Sequence, residues 1–92
     1  MIRSFADEET EKVFRHLHSR CYAAFERVAL RKLRQIHSVS TVQELLEPPG
    51  NRLERLKGDR KGQWSLRING QYRICFAWRD GDAYEVEIVD YH

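Results

Sequence analysis

The chain has 92 residues, of which 41% are hydrophobic and 33% charged, with a formal net charge of +2. This length predicts a single domain over residues 1–92, because a second domain is expected only when a chain exceeds about 150 residues. No apolar run approaches the roughly 18 residues of a membrane span, and the start is not that of a signal peptide, so we expect a soluble cytoplasmic protein without membrane contact.

The cysteines and histidines give no metal-binding pattern. Cys21 and Cys75 are isolated in the sequence, and we expect both to be reduced and buried. His16, His18 and His37 lie singly, without a carboxylate or cysteine at ligand spacing. We therefore expect neither a metal site nor a cofactor.

The first half of the chain is predicted to be helical. Residues 1–5 alternate weakly and could form a short opening strand. Asp7 is expected to cap a first helix that has acidic residues in its first turn and ends near residue 18. Apolar residues spaced by three and four predict a second helix over residues 22–36. The other side of that helix is basic, and it could be a solvated surface or a contact for an acidic partner. Its basic residues are Arg27, Arg31, Lys32 and Arg34.

The second half is predicted to contain strands. Thr41 and Glu44 form a capping box that begins a short helical turn, and Pro48-Pro49-Gly50 ends it. A short strand around residues 53–56 follows. Three longer strands place even-numbered apolar residues toward the core, from Trp64 to Ile68, from Tyr72 to Trp78 and from Tyr84 to Ile88.

This alternation constrains the two turns between the longer strands. A two-residue loop at Asn69-Gly70 would place Ile68 opposite Gln71 and divide the apolar residues between the two faces. A three-residue loop or a bulge instead places Ile68 opposite Tyr72. We expect the same at Asp80-Gly81-Asp82, with Arg79 opposite Ala83.

The odd-numbered residues face away from the predicted core. Residues 52–73 contain seven basic and two acidic residues, whereas residues 80–90 contain five acidic and no basic residues. This asymmetry fits a polyanion site or a solvated surface of ion pairs. The predicted second face holds Ser65, Arg67, Arg73, Cys75, Glu85, Glu87, Val89 and Tyr91.

Such a face has residues suited to RNA. Arginine binds phosphate oxygens bidentately and keeps its charge, and a tyrosine ring can stack on a base. Cleavage by internal attack needs a base for the 2′-OH, a cation for the phosphorane and an acid for the 5′-oxygen. Lys57 and Arg73 are candidates for charge stabilisation. The candidates for proton transfer are Glu54, Asp90, Tyr91 and His92. A basic sheet with a histidine is also compatible with a binding surface alone.

Four stretches together resemble the HigB toxins, the plasmid-maintenance "killer protein" branch of the RelE superfamily. The resemblance covers the whole chain and ends in Asp-Tyr-His. The stretches are Arg52-Leu53-Glu54-Arg55-Leu56-Lys57-Gly58-Asp59-Arg60, Gly62-Gln63-Trp64-Ser65-Leu66-Arg67-Ile68-Asn69, Gln71-Tyr72-Arg73-Ile74-Cys75-Phe76 and Val86-Glu87-Ile88-Val89-Asp90-Tyr91-His92.

The resemblance implies an α+β fold in which two N-terminal helices pack on a small, mostly antiparallel sheet, the RelE-like microbial RNase fold. It also implies a metal-independent endoribonuclease that cuts mRNA in the ribosomal A site. Its expected partners are the ribosome and a HigA-type helix-turn-helix antitoxin. The antitoxin would inhibit the toxin and would mediate any contact with operator DNA.

The resemblance also assigns residues. The phosphate-neutralising cations of the family correspond to Lys57 and Arg73, and the terminal catalytic group corresponds to Asp90, Tyr91 and His92. Some HigB toxins have a catalytic histidine where this chain has Glu54, and a carboxylate there can act as a base but also repels phosphate. The remaining basic residues expected to bind RNA are Arg55, Arg60, Lys61 and Arg67. A catalytically weak relative that binds RNA or ribosomes and acts mainly with its antitoxin is the alternative.

Overall fold

Two helices precede four strands in the computed structural model, which describes residues 1–91. The helices are α1 (Glu8–Phe14) and α2 (Glu26–Ser38). The strands are β1 (Glu54–Arg55), β2 (Gln63–Arg67), β3 (Tyr72–Arg79) and β4 (Asp82–Asp90). They form one antiparallel sheet in the order β1-β2-β3-β4, which confirms the predicted α+β class. His92, predicted as a catalytic residue, lies outside the described residues.

The helix starts and ends differ in part from the prediction. Asp7 caps α1 as expected, because its Oδ1 accepts a hydrogen bond from the Thr10 N–H at 2.7 Å. The helix ends at Phe14, earlier than predicted, and His16 has a left-handed backbone with φ of 60°. Residues 23–25 form a 3-10 turn, so α2 begins at Glu26 instead of residue 22. It ends at Ser38, two residues later than expected.

One hydrophobic cluster joins the helices to the sheet. The apolar residues spaced by three and four on α2 meet the alternating residues of the strands, as both periodicities require. Burying these side chains removes them from water, the main favourable contribution to folding. The cluster includes Val13 from α1, Ala29, Leu33 and Ile36 from α2, Leu66 from β2, Ile74 and Phe76 from β3, and Ala83, Val86 and Ile88 from β4.

The turn between β2 and β3 has the predicted three-residue loop. Leu66 lies opposite Ile74, and the Ile68 N–H donates to the Tyr72 carbonyl at 2.9 Å. The Asn69 Oδ1 accepts from the N–H groups of Gln71 and Tyr72, both at 2.8 Å. This side chain therefore fixes the loop that keeps the apolar residues on one face.

The turn between β3 and β4 differs from the prediction. Arg79 lies opposite Asp82, so the loop has only two residues, Asp80 and Gly81. Both have positive φ, 50° and 81°, as the mirror-image hairpin turns require. The expected placement of Arg79 opposite Ala83 is therefore wrong.

The extra residue lies inside β4 instead, as a bulge at Glu85. The register shifts between Cys75 and Ala77, and Glu85 has φ of 54°. Before the bulge the alternation is reversed, so Ala83 is buried in the core and Tyr84 pairs with Ala77 on the second face. The predicted core position of Tyr84 and the predicted regular second-face position of Glu85 are both wrong, because a bulge changes which residues share a face.

The opening residues cover the outer edge of β4. Ile2 bridges Ala83 and Phe5 bridges Val86, both in parallel, so the predicted opening strand is reduced to two isolated bridges. The Asp82 carboxylate binds the N-terminal ammonium at 3.3 Å and the Arg3 Nε at 3.1 Å. The segment thus protects an edge whose backbone groups would otherwise be open.

Two further predictions on single residues are corrected. Cys21 is exposed, whereas Cys75 is buried as expected, and both are free thiols. Lys32 was expected among the solvated bases of the second helix, but only 8% of its surface is exposed.

The capping box of Thr41 and Glu44 is confirmed and begins a 3-10 turn. None of the helices within residues 1–91 has the length and apolar character needed to cross a membrane.

Candidate active site

The second face of the sheet brings three of the predicted site residues, Glu54, Arg67 and Arg73, into adjacent rows. The strand register aligns Glu54, Ser65, Cys75 and Glu87 in one row. The next row contains Arg67, Arg73 and Val89. Residues directly opposite in antiparallel strands share a face, so the alternation in the sequence correctly grouped these side chains.

Arg73 is at the centre of this face. Only 8% of the residue is exposed. Its Nε donates to the Ser65 Oγ at 2.8 Å, and its Nη2 donates to the Arg52 carbonyl and, at 3.4 Å, to the Ser65 carbonyl. These bonds hold the planar guanidinium in one orientation and use its Nε and Nη2 donors, so a phosphate oxygen would be bound through Nη1.

Glu54 and Tyr91 lie on two sides of the Arg73 guanidinium. The Glu54 Oε1 is 3.8 Å from the Arg73 Nη1, and 55% of the Glu54 side chain is exposed. The Arg73 Cζ lies 5.8 Å from the centre of the Tyr91 ring, which is 42% exposed. The loose ion pair leaves the carboxylate accessible as a proton acceptor, and the ring is available for stacking on a base. Three of the predicted catalytic residues are therefore brought together.

Arg67 lies directly opposite Arg73 across β2 and β3. Like charges in this relation destabilise a sheet. Ion pairs between residues of the described chain include Arg73 with Glu54 but none for Arg67. This half-buried cation therefore adds uncompensated positive charge to the face, as the prediction of an RNA-binding role for Arg67 requires.

Arg60 is held within the fold by an acidic residue of the same face. It ends a 3-10 turn, Gly58–Arg60, and its Nη1 binds the Glu87 Oε1 at 2.7 Å and the Gln63 Oε1 at 3.1 Å. The hydrogen bond that Arg60 donates to Glu87 is the main reason that the pKa of Arg60 is raised. The charge of Arg60 is thus already paired, and its contacts are structural ones.

Arg55 is separated from this group by the sheet itself. It pairs with Trp64, and its Cζ lies 5.6 Å from the Trp64 ring. Neighbouring positions in a strand point to opposite faces, so Arg55 is on the face opposite Glu54. An open pocket of about 380 Å³ beside β1 is lined by Arg55, Leu56, Lys57, Gly58 and Lys61. Lys57 and Lys61 are exposed at the rim of this pocket.

Asp90 and Tyr91, at the end of β4, make different contacts. Asp90 pairs with Tyr72 on the helix-side face, and its Oδ2 accepts from the Gln71 Nε2 at 3.2 Å. The Tyr91 N–H donates to the Gln71 carbonyl at 2.6 Å, which fixes the backbone that carries the ring. The proposed role of His92 lies outside the described residues.

Two groups that position Arg73 were not singled out as site residues from the sequence. Ser65 was predicted on the correct face, and its complete burial beside an arginine would have indicated a hydrogen bond. The Arg52 carbonyl gives no sequence signal, because any residue has one; it depends on a left-handed backbone with φ of 45°. Cys75 is buried in the same face, and burial raises the pKa of its thiol, so it is a poor nucleophile.

No group of three His, Cys, Asp or Glu residues within the described part of the chain is arranged to hold a metal ion. Side chains give the candidate site positive charge, with Arg73 at its centre and Arg67 beside it. Such groups can bind a phosphate and stabilise additional negative charge on it.

Comparisons with known proteins identify the family of the chain. A family model described as the RelE-like toxin of type II toxin-antitoxin system HigB matches residues 3–92. Toxin HigB-1 of Vibrio cholerae serotype O1 is 36% identical over 85 residues, which cover 90% of each chain. Endoribonuclease HigB of Proteus vulgaris is 46% identical over 41 residues, or 45% of each chain.

Solved structures show the same fold at low sequence identity. The chain is similar to one in the YoeB-YefM toxin-antitoxin complex of Staphylococcus aureus, with a TM-score of 0.62, 17% identity and coverage of 100% of this chain and 98% of the other. YafQ of E. coli gives a TM-score of 0.59, 11% identity and coverage of 98% and 93%. Taken with the family match, these findings show that the chain belongs to the HigB-like toxins, the RelE-like toxins of type II toxin-antitoxin systems.

Proposed function

We propose that this toxin is an endoribonuclease that cleaves mRNA in the ribosomal A site and so inhibits translation. The observation that carries the proposal is the buried Arg73 guanidinium, fixed by Ser65 and flanked by Glu54 and Tyr91. The Proteus vulgaris relative is named an endoribonuclease, which supports the same activity.

The reaction is an internal attack within the RNA strand. Glu54 takes the proton of the 2′-OH, and the 2′-oxygen forms a bond to phosphorus. Arg73 stabilises the added negative charge, and the bond from phosphorus to the 5′-oxygen breaks. Lys57, the second cation that the family resemblance assigns to this role, lines the pocket beside β1 with Arg55. His92 gives a proton to that leaving oxygen, and Tyr91 stacks on a base. The mechanism uses no metal ion, since side chains supply the charge and the proton transfers.

The proposed partners are the ribosome with its mRNA and a HigA-type helix-turn-helix antitoxin. The antitoxin inhibits the toxin and carries it to operator DNA, which the toxin does not contact by itself. The fold-level neighbour from Staphylococcus aureus was solved in a toxin-antitoxin complex, which supports an antitoxin partner of some type. Such a system acts in the cytoplasm, where mRNA is translated.

A second candidate function follows from Glu54. Its carboxylate lies 3.8 Å from Arg73, next to the place where a substrate phosphate would bind, and like charges repel. A toxin with this residue could bind RNA or ribosomes without efficient cleavage. It would then act mainly with its antitoxin as a co-repressor of the operon.

Cleavage of an mRNA on a programmed ribosome with a defined A-site codon distinguishes the two. We expect the wild type to cut in the A site only when the ribosome is present. Glu54→Gln and His92→Gln should each lower the rate by about 10²- to 10⁴-fold, the usual contribution of a general base or acid. Asp59→Asn is the matched control, because Asp59 is an exposed carboxylate near β1 that has no place in the mechanism.

The same assay identifies the alternative. A wild type that binds the ribosome and leaves the message whole would contradict the endonuclease proposal and favour the co-repressor. An active enzyme in which Glu54→Gln cuts as fast as Asp59→Asn would contradict the role of Glu54 alone. Tighter ribosome binding by Glu54→Gln would fit the removal of charge repulsion beside Arg73.

A further inference from the structure

Lys32 is buried on α2 and bound to a single amide. Its Nζ donates to the Asn51 Oδ1 at 2.6 Å, and Asn51 is only 1% exposed. The Asn51 Nδ2 donates to the Gln35 Oε1 and to the carbonyls of Leu45 and Glu47, at 3.0 to 3.2 Å. These bonds orient the amide so that its oxygen faces the lysine.

The charge of Lys32 lacks an acidic partner in the part of the chain that the structure describes. The ion pairs found within residues 1–91 involve other groups. Burial is the main reason that the pKa of Lys32 is lowered, and the charges of Arg31 and Arg67 lower it further. An ammonium has three donors, and within residues 1–91 only Asn51 accepts from this one. A buried cation in this state favours an anionic ligand.

A pocket gives access to this ammonium. It has a volume of about 310 Å³ and is lined by Arg31, Lys32, Gln35, Pro48 and Asn51. Two of these five residues are cationic and none is acidic. The pocket therefore has the charge, the donors and the space for an anion of the size of phosphate.

The pocket is connected to the candidate active site through two adjacent residues. Asn51 holds Lys32, and the carbonyl of the next residue, Arg52, accepts a hydrogen bond from the Arg73 Nη2. Arg67 provides a second connection, because it lies opposite Arg73 and its charge also acts on Lys32.

We propose that the pocket at Lys32 and Arg31 binds a phosphate of the RNA strand, one that flanks the phosphate held at Arg73. This inference rests on the proposed ribonuclease function and adds a second backbone contact to it. A polyanion fits better than an isolated acidic side chain, because it can engage Arg73, Arg67 and Lys32 together. The contact reads no base and would position the strand at Arg73.

The test is the salt dependence of binding to a short single-stranded RNA whose 2′-oxygens are methylated, so that it cannot be cleaved. Each phosphate contact on a single strand contributes about −0.7 to the slope of log K against log salt concentration. Lys32→Met should make the slope shallower by about 0.7 and weaken binding at low salt. Arg31→Met should do the same, and because Arg31 is exposed this variant does not disturb the core.

Arg34→Met is the matched control, since it removes an exposed cation from the same helix outside this pocket. A slope in both pocket variants equal to that of Arg34→Met would overturn the inference. The inference would also be overturned if the two pocket variants bound RNA normally and lost affinity only for an acidic protein partner. A thermal midpoint of Lys32→Met well below that of the wild type, with an unchanged slope in Arg31→Met, would assign Lys32 a structural role instead.

The outcomes separate this inference from the function on which it rests. If the wild type binds the methylated RNA and the pocket variants have normal slopes, the inference fails while cleavage on the ribosome is unaffected. If the slopes change as expected and no cleavage occurs on the ribosome, the endonuclease proposal fails while the phosphate pocket stands.

Discussion

Arg73 combines a structural role with the catalytic role proposed for it. Catalysis needs a guanidinium that is already oriented before the substrate binds, because reorientation during the reaction costs free energy. Burial beside Ser65 and the Arg52 carbonyl provides that orientation. The same burial makes the residue sensitive to any loss of its acceptors, since an unsatisfied buried donor is costly.

Ser65→Ala tests this coupling. It removes the acceptor of the Arg73 Nε while leaving the small volume of the side chain nearly unchanged. We expect a loss of about 1–3 kcal/mol in the free energy of unfolding, measured by chemical denaturation, because a buried charged donor is left unsatisfied. Ser38→Ala is the control, since the Ser38 hydroxyl is exposed. Equal losses in both variants would contradict the importance of the buried bond.

The sequence contained more information on single residues than the prediction used. The alternation of β2 and β3 correctly placed Ser65, Arg67 and Arg73 on one face. Lys32 was wrongly assigned to solvent, although it lies three residues after Ala29 and four before Ile36, both in the core. Helical spacing therefore indicated its burial, but its charge outweighed that signal in the prediction.

The bulge in β4 determines which side chains reach the second face. A single extra residue reverses the alternation, so Tyr84 is moved out of the core and Ala83 into it. The prediction recognised that one extra residue was needed in this hairpin but placed it in the turn. The hydrophobic pattern alone cannot show whether the extra residue lies in the turn or inside β4. The reason is that Ala83 and Tyr84 can each occupy either face of the strand.

The Glu85 backbone gives a prediction at this scale. A non-glycine residue with positive φ costs free energy, and Glu85 has φ of 54°. We expect Glu85→Gly to stabilise the protein by about 1 kcal/mol, measured as an increase in the free energy of unfolding. Glu85→Ala removes the same carboxylate without relieving the backbone, so it should not stabilise. Equal stabilisation by both variants would show that the charge, and not φ, is responsible.

At the scale of the whole molecule, the opening residues and the last strand are joined by charge. Asp82 in β4 binds both Arg3 and the N-terminal ammonium, and the hydrogen bond from Arg3 is the main reason that the pKa of Asp82 is lowered. The unfolded chain therefore binds more protons near the ordinary aspartate pKa of about 3.9. This contribution to stability is present above that pH and is lost as the pH falls through the folded pKa.

We expect Asp82→Asn to be less stable than the wild type at pH 7 and to approach it as the solution is acidified below about pH 4. Thermal unfolding measured across this range checks the trend. Asp80→Asn is the control, because Asp80 lies in the neighbouring turn outside the ion pairs found for residues 1–91. A difference between Asp82→Asn and wild type that stays constant with pH would contradict the assignment.

The division of the sheet into a core face and a second face was predictable from the sequence. The contacts of individual residues on these faces were only partly predictable. Period-two alternation identified the core, and the basic segment identified the cationic face. The pairing of Arg60 with Glu87 and the separation of Arg55 from Arg73 depend on turns and registers that no local pattern specifies.

The opposed cations Arg67 and Arg73 also affect how quickly the unbound protein is degraded. Their repulsion makes the folded state less stable, and anything that neutralises it in the folded state alone shifts the folding equilibrium by mass action. An acidic inhibitor or an RNA strand seated there would therefore act as a stabiliser. Proteases that digest transiently opened chains would accordingly degrade the unbound protein faster than the bound protein.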